Sequence, residues 1–266
     1  MVFVGLHQAP DEGRGDRVEK TGPVSTMSSV QTLFELVVRQ AEAGPERPAL
    51  IAPGRPALDY RGLASQVRRI AEALAALEIR RNEVVAISLP NGPELAVSVL
   101  GAACAATAAP LSTTATSFEI GPLLDEARVR AVIVAAGVDL PLHRVAAERG
   151  LPVLELVAGE RAGEVLPASS HASVAEHPDG SDIALLLHTS GTTSRPKQVP
   201  LTHQNLVGAT ERVVESVRLT ADDCCLNVMP LVHAHGLLGG PVLGVRSPAR
   251  ILIEASTESE CVALTA

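Results

Sequence analysis

The stretch Glu83–Ala109, "EVVAISLPNGPELAVSVLGAACAATAA", decides the fold. Its opening, Glu83 to Pro90, is a continuous apolar run of strand length with no polar alternation, the pattern of a strand covered on both faces. A turn at Asn91–Gly92 follows, and the Ala-rich remainder reads as a helix. A buried strand leading into a helix is half of a β-α-β unit, so its neighbours must include further strands parallel to it. They do: "SFEIGPLLDEA" reads as a helix, "RAVIVAAG" as a strand, and "RVAAERGLPVLELV" as a helix and another strand. Upstream, "VQTLFELVVRQAEA" is a helix and Pro48 to Ala52 a short strand. In "LDYRGLASQVRRIAEALAALEI", Leu63, Val67, Ile70, Leu74 and Leu77 step by fours and threes along one helical face. The alternation predicts an α/β fold, a doubly wound, mainly parallel sheet with helices on both faces.

A polar, irregular passage from Ala158 to Asp182 interrupts this alternation and reads as a surface connection. Beyond it, "IALLLHT" is a buried strand and "QVPLT" a short second strand. "HQNLVGATERVVESVRL" is a helix with Thr202 as its N-cap. Cys224 to Met229 forms another strand that turns into Gly236, and no internal repeat is present.

Composition narrows the function. At 266 residues and 46% hydrophobic, the chain can bury a substantial core, built from Ala, Leu, Val and Ile because Trp is absent and Tyr occurs once. A net charge of -8 with almost no aromatic rings argues against a nucleic-acid partner. No apolar run approaches the roughly 20 residues of a membrane span. The four cysteines show no metal-site spacing, and the N-terminus lacks a signal-peptide pattern, so a reducing cytoplasm is the expected location. Of the 22 basic residues only Lys20 and Lys197 are lysines, and Lys197 ends a Thr/Ser/Gly-rich loop.

That loop, Thr189, Ser190, Gly191, Thr192, Thr193, Ser194, follows a strand and offers hydroxyls and N–H groups able to surround a polyphosphate. A compact ammonium suits phosphate oxygens as a point charge. The same residues also read as a Ser/Thr-rich hairpin joining two strands. Neither G-x-x-x-x-G-K-[ST] nor G-x-G-x-x-G occurs, so a P-loop kinase and a Rossmann dinucleotide site are excluded.

"TSGTTSRPKQVPLTHQNL", Thr189 to Leu206, resembles the signature loop of the adenylate-forming acyl-CoA synthetase superfamily, T-S-G-[ST]-T-G-x-P-K-G-V followed by L-T-H-x-N. Two further segments resemble that family in its order: Pro90 to Ile133, and "MPLVHAHGLLGG", Met229 to Gly240, which is similar to its P-L-[FY]-H-x-x-G element. The resemblance implies an ATP-dependent acid–CoA ligase that joins a small carboxylic acid to AMP and then to coenzyme A. It implies that Thr189 to Thr193 and Ser194 line the β- and γ-phosphates, that Thr192 lies nearest Mg²⁺, that Lys197 supplies charge, and that His233, His235 and Gly236 belong to the acid pocket. Ser194 in place of the usual second Gly, and the second histidine His235, resemble the subset acting on small dicarboxylates such as oxalate. Gln198 stands where Gly usually follows the Lys, so a strained or obstructed loop is expected there. Val232 replaces an aromatic, which loosens the pocket.

Other readings of the same residues are plainer. His233 and His235 lack a third metal ligand at useful spacing. His188 reads as a packing residue and His203 as a helix-start residue. Ser190 has no G-x-S-x-G elbow around it. Cys224 and Cys225 lie in an apolar strand as core residues.

Residues 1–28 read as a disordered leader, 29–240 as an incomplete AMP-binding domain, and 241–266 as an atypical tail such as a frameshift or premature stop would leave. The family's later Y-G-x-T-E segment is ruled out because Tyr60 is the only tyrosine. A non-catalytic nucleotide-binding or interaction fragment is the alternative.

Overall fold

The computed structural model describes residues 30–168, 173–189, 197–246 and 249–253. The proposed leader, 1–28, lies outside them. Among the described residues the elements run α1 (Leu33–Ala43), β1 (Pro48–Ile51), β2 (Leu58–Asp59), α2 (Tyr60–Ala76), β3 (Val84–Ser88), α3 (Pro93–Ala103), β4 (Thr107–Pro110), α4 (Ser117–Ala127), β5 (Ala131–Ala135), α5 (Pro141–Glu148), β6 (Val153–Ala158) and β7 (Val165–Pro167). Then follow β8 (Ile183–Thr189), β9 (Lys197–Thr202), α6 (His203–Val217), β10 (Cys224–Asn227), α7 (Ala234–Leu237), a π-helical turn (Leu238–Val242), α8 (Leu243–Arg246) and β11 (Arg250–Ile253).

The larger sheet has the order β7-β6-β5-β3-β4-β8-β9. Its middle is parallel, and only β7 and β9 pair antiparallel, at the two edges. β3 sits between strands reached by later crossovers, which is the doubly wound arrangement. Side chains alternate across this sheet with period two. Val85 and Ile87 of β3 join one core with α2 and α3, while Ala86 joins a second core with α4 and α5. β5 repeats the pattern: Ala131 and Ile133 face the first core, Val132 and Val134 the second. Both faces are therefore covered, as the unbroken apolar run of β3 requires.

The helices begin where their sequences dictate. Thr32, Thr116 and Thr202 each accept an N–H three residues on, and Glu35, Glu119 and Asn205 return the bond. On α2 the stripe Leu63, Val67, Ile70 and Leu74 is at most 2% exposed. Each such side chain contributes about 1.5–3 kcal/mol on burial.

Several features depart from the sequence reading; within Ala158–Asp182, read as a surface connection, Val165–Pro167 is the edge strand β7, with Val165 buried. Thr107–Pro110, absorbed there into the Ala-rich helix, is the buried strand β4, because the helix ends at Ala103 and the following apolar residues complete the sheet. A second sheet, β10-β11-β1-β2, packs on the other side of the helical layer. Short strands far apart in sequence give no local sign of their pairing.

β11 lies in the segment read as an atypical tail. It inserts between β10 and β1, parallel to both, with Ile251 and Ile253 buried. Tyr60 fixes its approach: the buried hydroxyl lies 2.9 Å from the Gly244 carbonyl and 3.1 Å from that of Ala249. Burial pushes the Tyr60 phenol up, so it stays a donor at every ordinary pH. The described part of this segment is thus integral to the smaller sheet.

Candidate functional site

β8 and β9 form a hairpin whose last pairs are Leu187 with Val199, His188 with Gln198, and Thr189 with Lys197. The intervening residues Ser190, Gly191, Thr192, Thr193 and Ser194 lie outside the described residues, as does the side chain of Thr189. The hairpin nonetheless fixes both ends of the loop at the carboxyl edge of the parallel strands, where doubly wound sheets hold their ligands. Lys197, the first residue of β9, is exposed.

The base of β8 is rigidly held. Thr107 donates to the Ile183 carbonyl at 2.7 Å, and Asn82 accepts from the Ile183 N–H at 2.8 Å. Asp182, just before the strand, takes Arg81 Nε at 2.6 Å, Asn82 Nδ2 at 2.7 Å and the Asp179 N–H at 2.7 Å. Burial alone raises a carboxyl, but these donors outweigh it and hold Asp182 down at about 2.

Gln198 does not strain the backbone. Among the described residues, positive φ outside glycine occurs only at Glu78, Asn82, Arg128 and Arg218. Gln198 instead sits in a regular ladder opposite His188, and any side chain adopts that geometry. His188 is half-buried, its pKa lowered by burial, and among the described residues neither ring nitrogen has a hydrogen-bond partner; the same is true of Gln198 Nε2. His203 is fully buried at the start of α6, where Nδ1 accepts the Leu33 N–H at 3.2 Å. Burial pushes it down to about 4, so it is a neutral structural group joining α6 to α1.

The second candidate element, Met229 to Gly240, leaves β10 and enters the helix running through α7, the π-helical turn and α8. His233 caps α7 and is exposed, as is His235, while Gly236 is buried. A Cβ on Gly236 would strike the Pro230 carbonyl, and one on Gly240 would strike the Asn227 amide, so both glycines permit close approach. Pro241 has no N–H to offer the Leu237 carbonyl four residues back, and the helix widens into its π turn at that point.

Two asparagines place this element. Asn91, just beyond β3, accepts the Leu231 N–H at 2.8 Å. Asn227, ending β10 and 5% exposed, accepts from the Met229 N–H at 3.1 Å and donates to the Gly236 carbonyl at 2.9 Å. Since the order is β3-β4-β8, the Asn91 anchor and the end of β8 at Thr189 lie at the same sheet edge two strands apart, roughly 10 Å. Asn91 looks like a turn residue in sequence. Asn227 does carry a signal, as a lone carboxamide in an apolar run that must find partners when buried.

Among the described residues no group of three or more His, Cys, Asp or Glu could hold a metal.

Comparison with known proteins agrees with this architecture. The profile of the AMP-binding enzyme family matches residues 37–262, beyond Gly240 and through β11. The oxalate–CoA ligase of Arabidopsis thaliana is 32% identical over 235 residues, covering 85% of this chain and 45% of that protein. The 4-coumarate–CoA ligase 3 of Oryza sativa subsp. japonica is 34% identical over 230 residues, covering 81% and 40%. The chain thus spans less than half the length of these relatives. Among solved structures, apo MatB from Rhodopseudomonas palustris superposes with a TM-score of 0.75 at 22% identity, covering 87% of this chain and 46% of that one. MbtA from Mycobacterium smegmatis gives 0.75 at 27%, covering 88% and 46%. With its doubly wound sheet, its Thr189–Lys197 hairpin and a profile match across most of its length, this chain belongs to the AMP-binding enzyme family.

Proposed function

We propose that this chain carries the phosphate-holding and acid-receiving part of an ATP-dependent acid–CoA ligase. The observation that carries the reading is the β8–β9 hairpin, which pairs Thr189 with Lys197 at the carboxyl edge of the sheet and so brings Lys197 back beside the residue where the Thr/Ser/Gly loop begins.

In the proposed reaction a carboxylate oxygen of the acid attacks the α-phosphorus of ATP, the bond to pyrophosphate breaks, and an acyl-adenylate results. A coenzyme A thiolate then displaces AMP. The first step brings two anions together, so donors aimed at the phosphates lower its barrier. Thr189, Ser190, Gly191, Thr192, Thr193 and Ser194 would supply hydroxyls and N–H groups, and Lys197 a positive charge. His233, His235 and Gly236 would receive the acid. Mg²⁺ would travel with the phosphates beside Thr192, where it would offset their charge; among the described residues no group of three or more His, Cys, Asp or Glu is placed to hold it. Small dicarboxylates head the candidate substrates, on the strength of Ser194, His235 and the relatives named oxalate–CoA ligase. Among the described residues no helix is long and apolar enough to cross a membrane; a cytoplasmic location is proposed from the cysteine pattern.

The second reading is nucleotide binding without catalysis. Pyrophosphate exchange into ATP with a panel of short acids separates the two. Exchange that needs an acid and disappears in Lys197→Ala supports the ligase; ATP binding without exchange for any acid supports the second.

A further inference from the structure

The backbone of the acid-receiving element enters from one sheet and is held by both. Between β10 and α7 the chain must turn sharply, and its buried polar groups need partners there. Three of them are satisfied by carboxamides: the Met229 N–H and the Gly236 carbonyl by Asn227, and the Leu231 N–H by Asn91. Asn227 belongs to the smaller sheet and Asn91 follows β3 of the larger one. The contact from Asn91 spans 140 residues of sequence. His233 and His235 lie within the segment pinned by these bonds, and the buried Gly236 is bonded directly.

We propose that Asn91 and Asn227 are positioning residues that set where His233, His235 and Gly236 stand relative to the phosphate loop, and thereby control affinity for the acid but not for ATP. This rests on the acid-receiving role proposed above. The two side chains do different jobs. Among the described residues Asn91 acts only as an acceptor, so a carboxylate can replace it. Asn227 needs one acceptor and one donor on the same planar group, so Asp in its place would lose the Gly236 bond and set a carboxylate against a carbonyl. The π turn beside Gly240, which packs on the Asn227 amide, offers no other donor from Pro241.

The test titrates Mg·ATP, then oxalate onto the ATP-loaded chain, for the wild type, Asn91→Leu, Asn91→Asp and Asn227→Asp, and follows hydrogen exchange at the Leu231 amide. Asn91→Leu and Asn227→Asp should weaken oxalate binding at least about 10-fold, the size expected for a lost buried hydrogen bond, with ATP affinity held within about 2-fold. Asn91→Asp should retain oxalate affinity, and Leu231 exchange should accelerate in Asn91→Leu alone among the Asn91 variants. Unchanged oxalate affinity in Asn91→Leu despite a deprotected Leu231 would overturn the proposal, as would parallel loss of ATP and oxalate binding. A wild type that binds ATP but not oxalate overturns it while leaving the phosphate loop intact. A folded wild type that binds neither overturns the functional reading itself.

Discussion

His188 and Gln198 face each other as a directly paired position of the β8–β9 ladder, one residue inside the Thr189–Lys197 pair that closes it. The residue that replaces the family's usual glycine is thus a strand residue with negative φ, and its cost is chemical: Nε2 is buried without a partner among the described residues. Removing that amide relieves an unpaired donor, worth about 1–3 kcal/mol, while glycine in a strand gives back up to about 1 kcal/mol. Gln198→Gly should therefore leave the urea midpoint unchanged or raised and ATP affinity within about 2-fold. A large gain in ATP affinity would show that Gln198 obstructs the phosphates.

His203 makes stability pH-dependent. In the fold its pKa is pushed down to about 4, whereas in the unfolded chain it titrates near its ordinary value of roughly 6.5. Between those values the unfolded chain takes up a proton that the fold refuses. Stability is complete above about 6.5 and declines as pH falls towards 4, by up to about 3 kcal/mol. Asp182 barely enters this window, since its contribution is lost as pH falls from its ordinary value of 3.8 towards the folded value of about 2. Urea unfolding from pH 7.5 to 4.5, about one unit beyond the upper bound, should show this slope in the wild type and lose most of it in His203→Asn.

Tyr60 tests whether β11 is part of the fold. Tyr60→Phe leaves the Gly244 and Ala249 carbonyls without this donor. A loss of about 1–3 kcal/mol is expected in the unfolding free energy, with ATP affinity unaffected. No change in stability would mean that the Tyr60 hydroxyl does not fasten α8 and β11 to the body.

The larger sheet was legible because its signals are local. The continuous apolar run of β3, the four-and-three stepping of α2 and the Thr202 cap each fit within one turn or strand. The strands β8 and β9 were legible for the same reason, each as a short contiguous run. What escaped depends on distant partners. β4 resembles helix because Ala suits both, and only its place between β3 and β8 makes it a strand. β11 pairs with β1 across most of the chain, and no nearby residue announces it. Asn91 likewise became a site residue only through Leu231.

In the proposed function the loop between Thr189 and Lys197 holds the polyphosphate of ATP. Calorimetric titration of the chain with Mg·ATP, beside Lys197→Ala, tests it most directly. Lys197 is exposed at the first position of β9, so its removal should spare the fold, while the lost charge-assisted contact should weaken binding about 10- to 100-fold. Saturable one-site binding weakened in this way is the predicted result. Equal ATP affinity in both proteins, or no binding by a folded wild type, would contradict it.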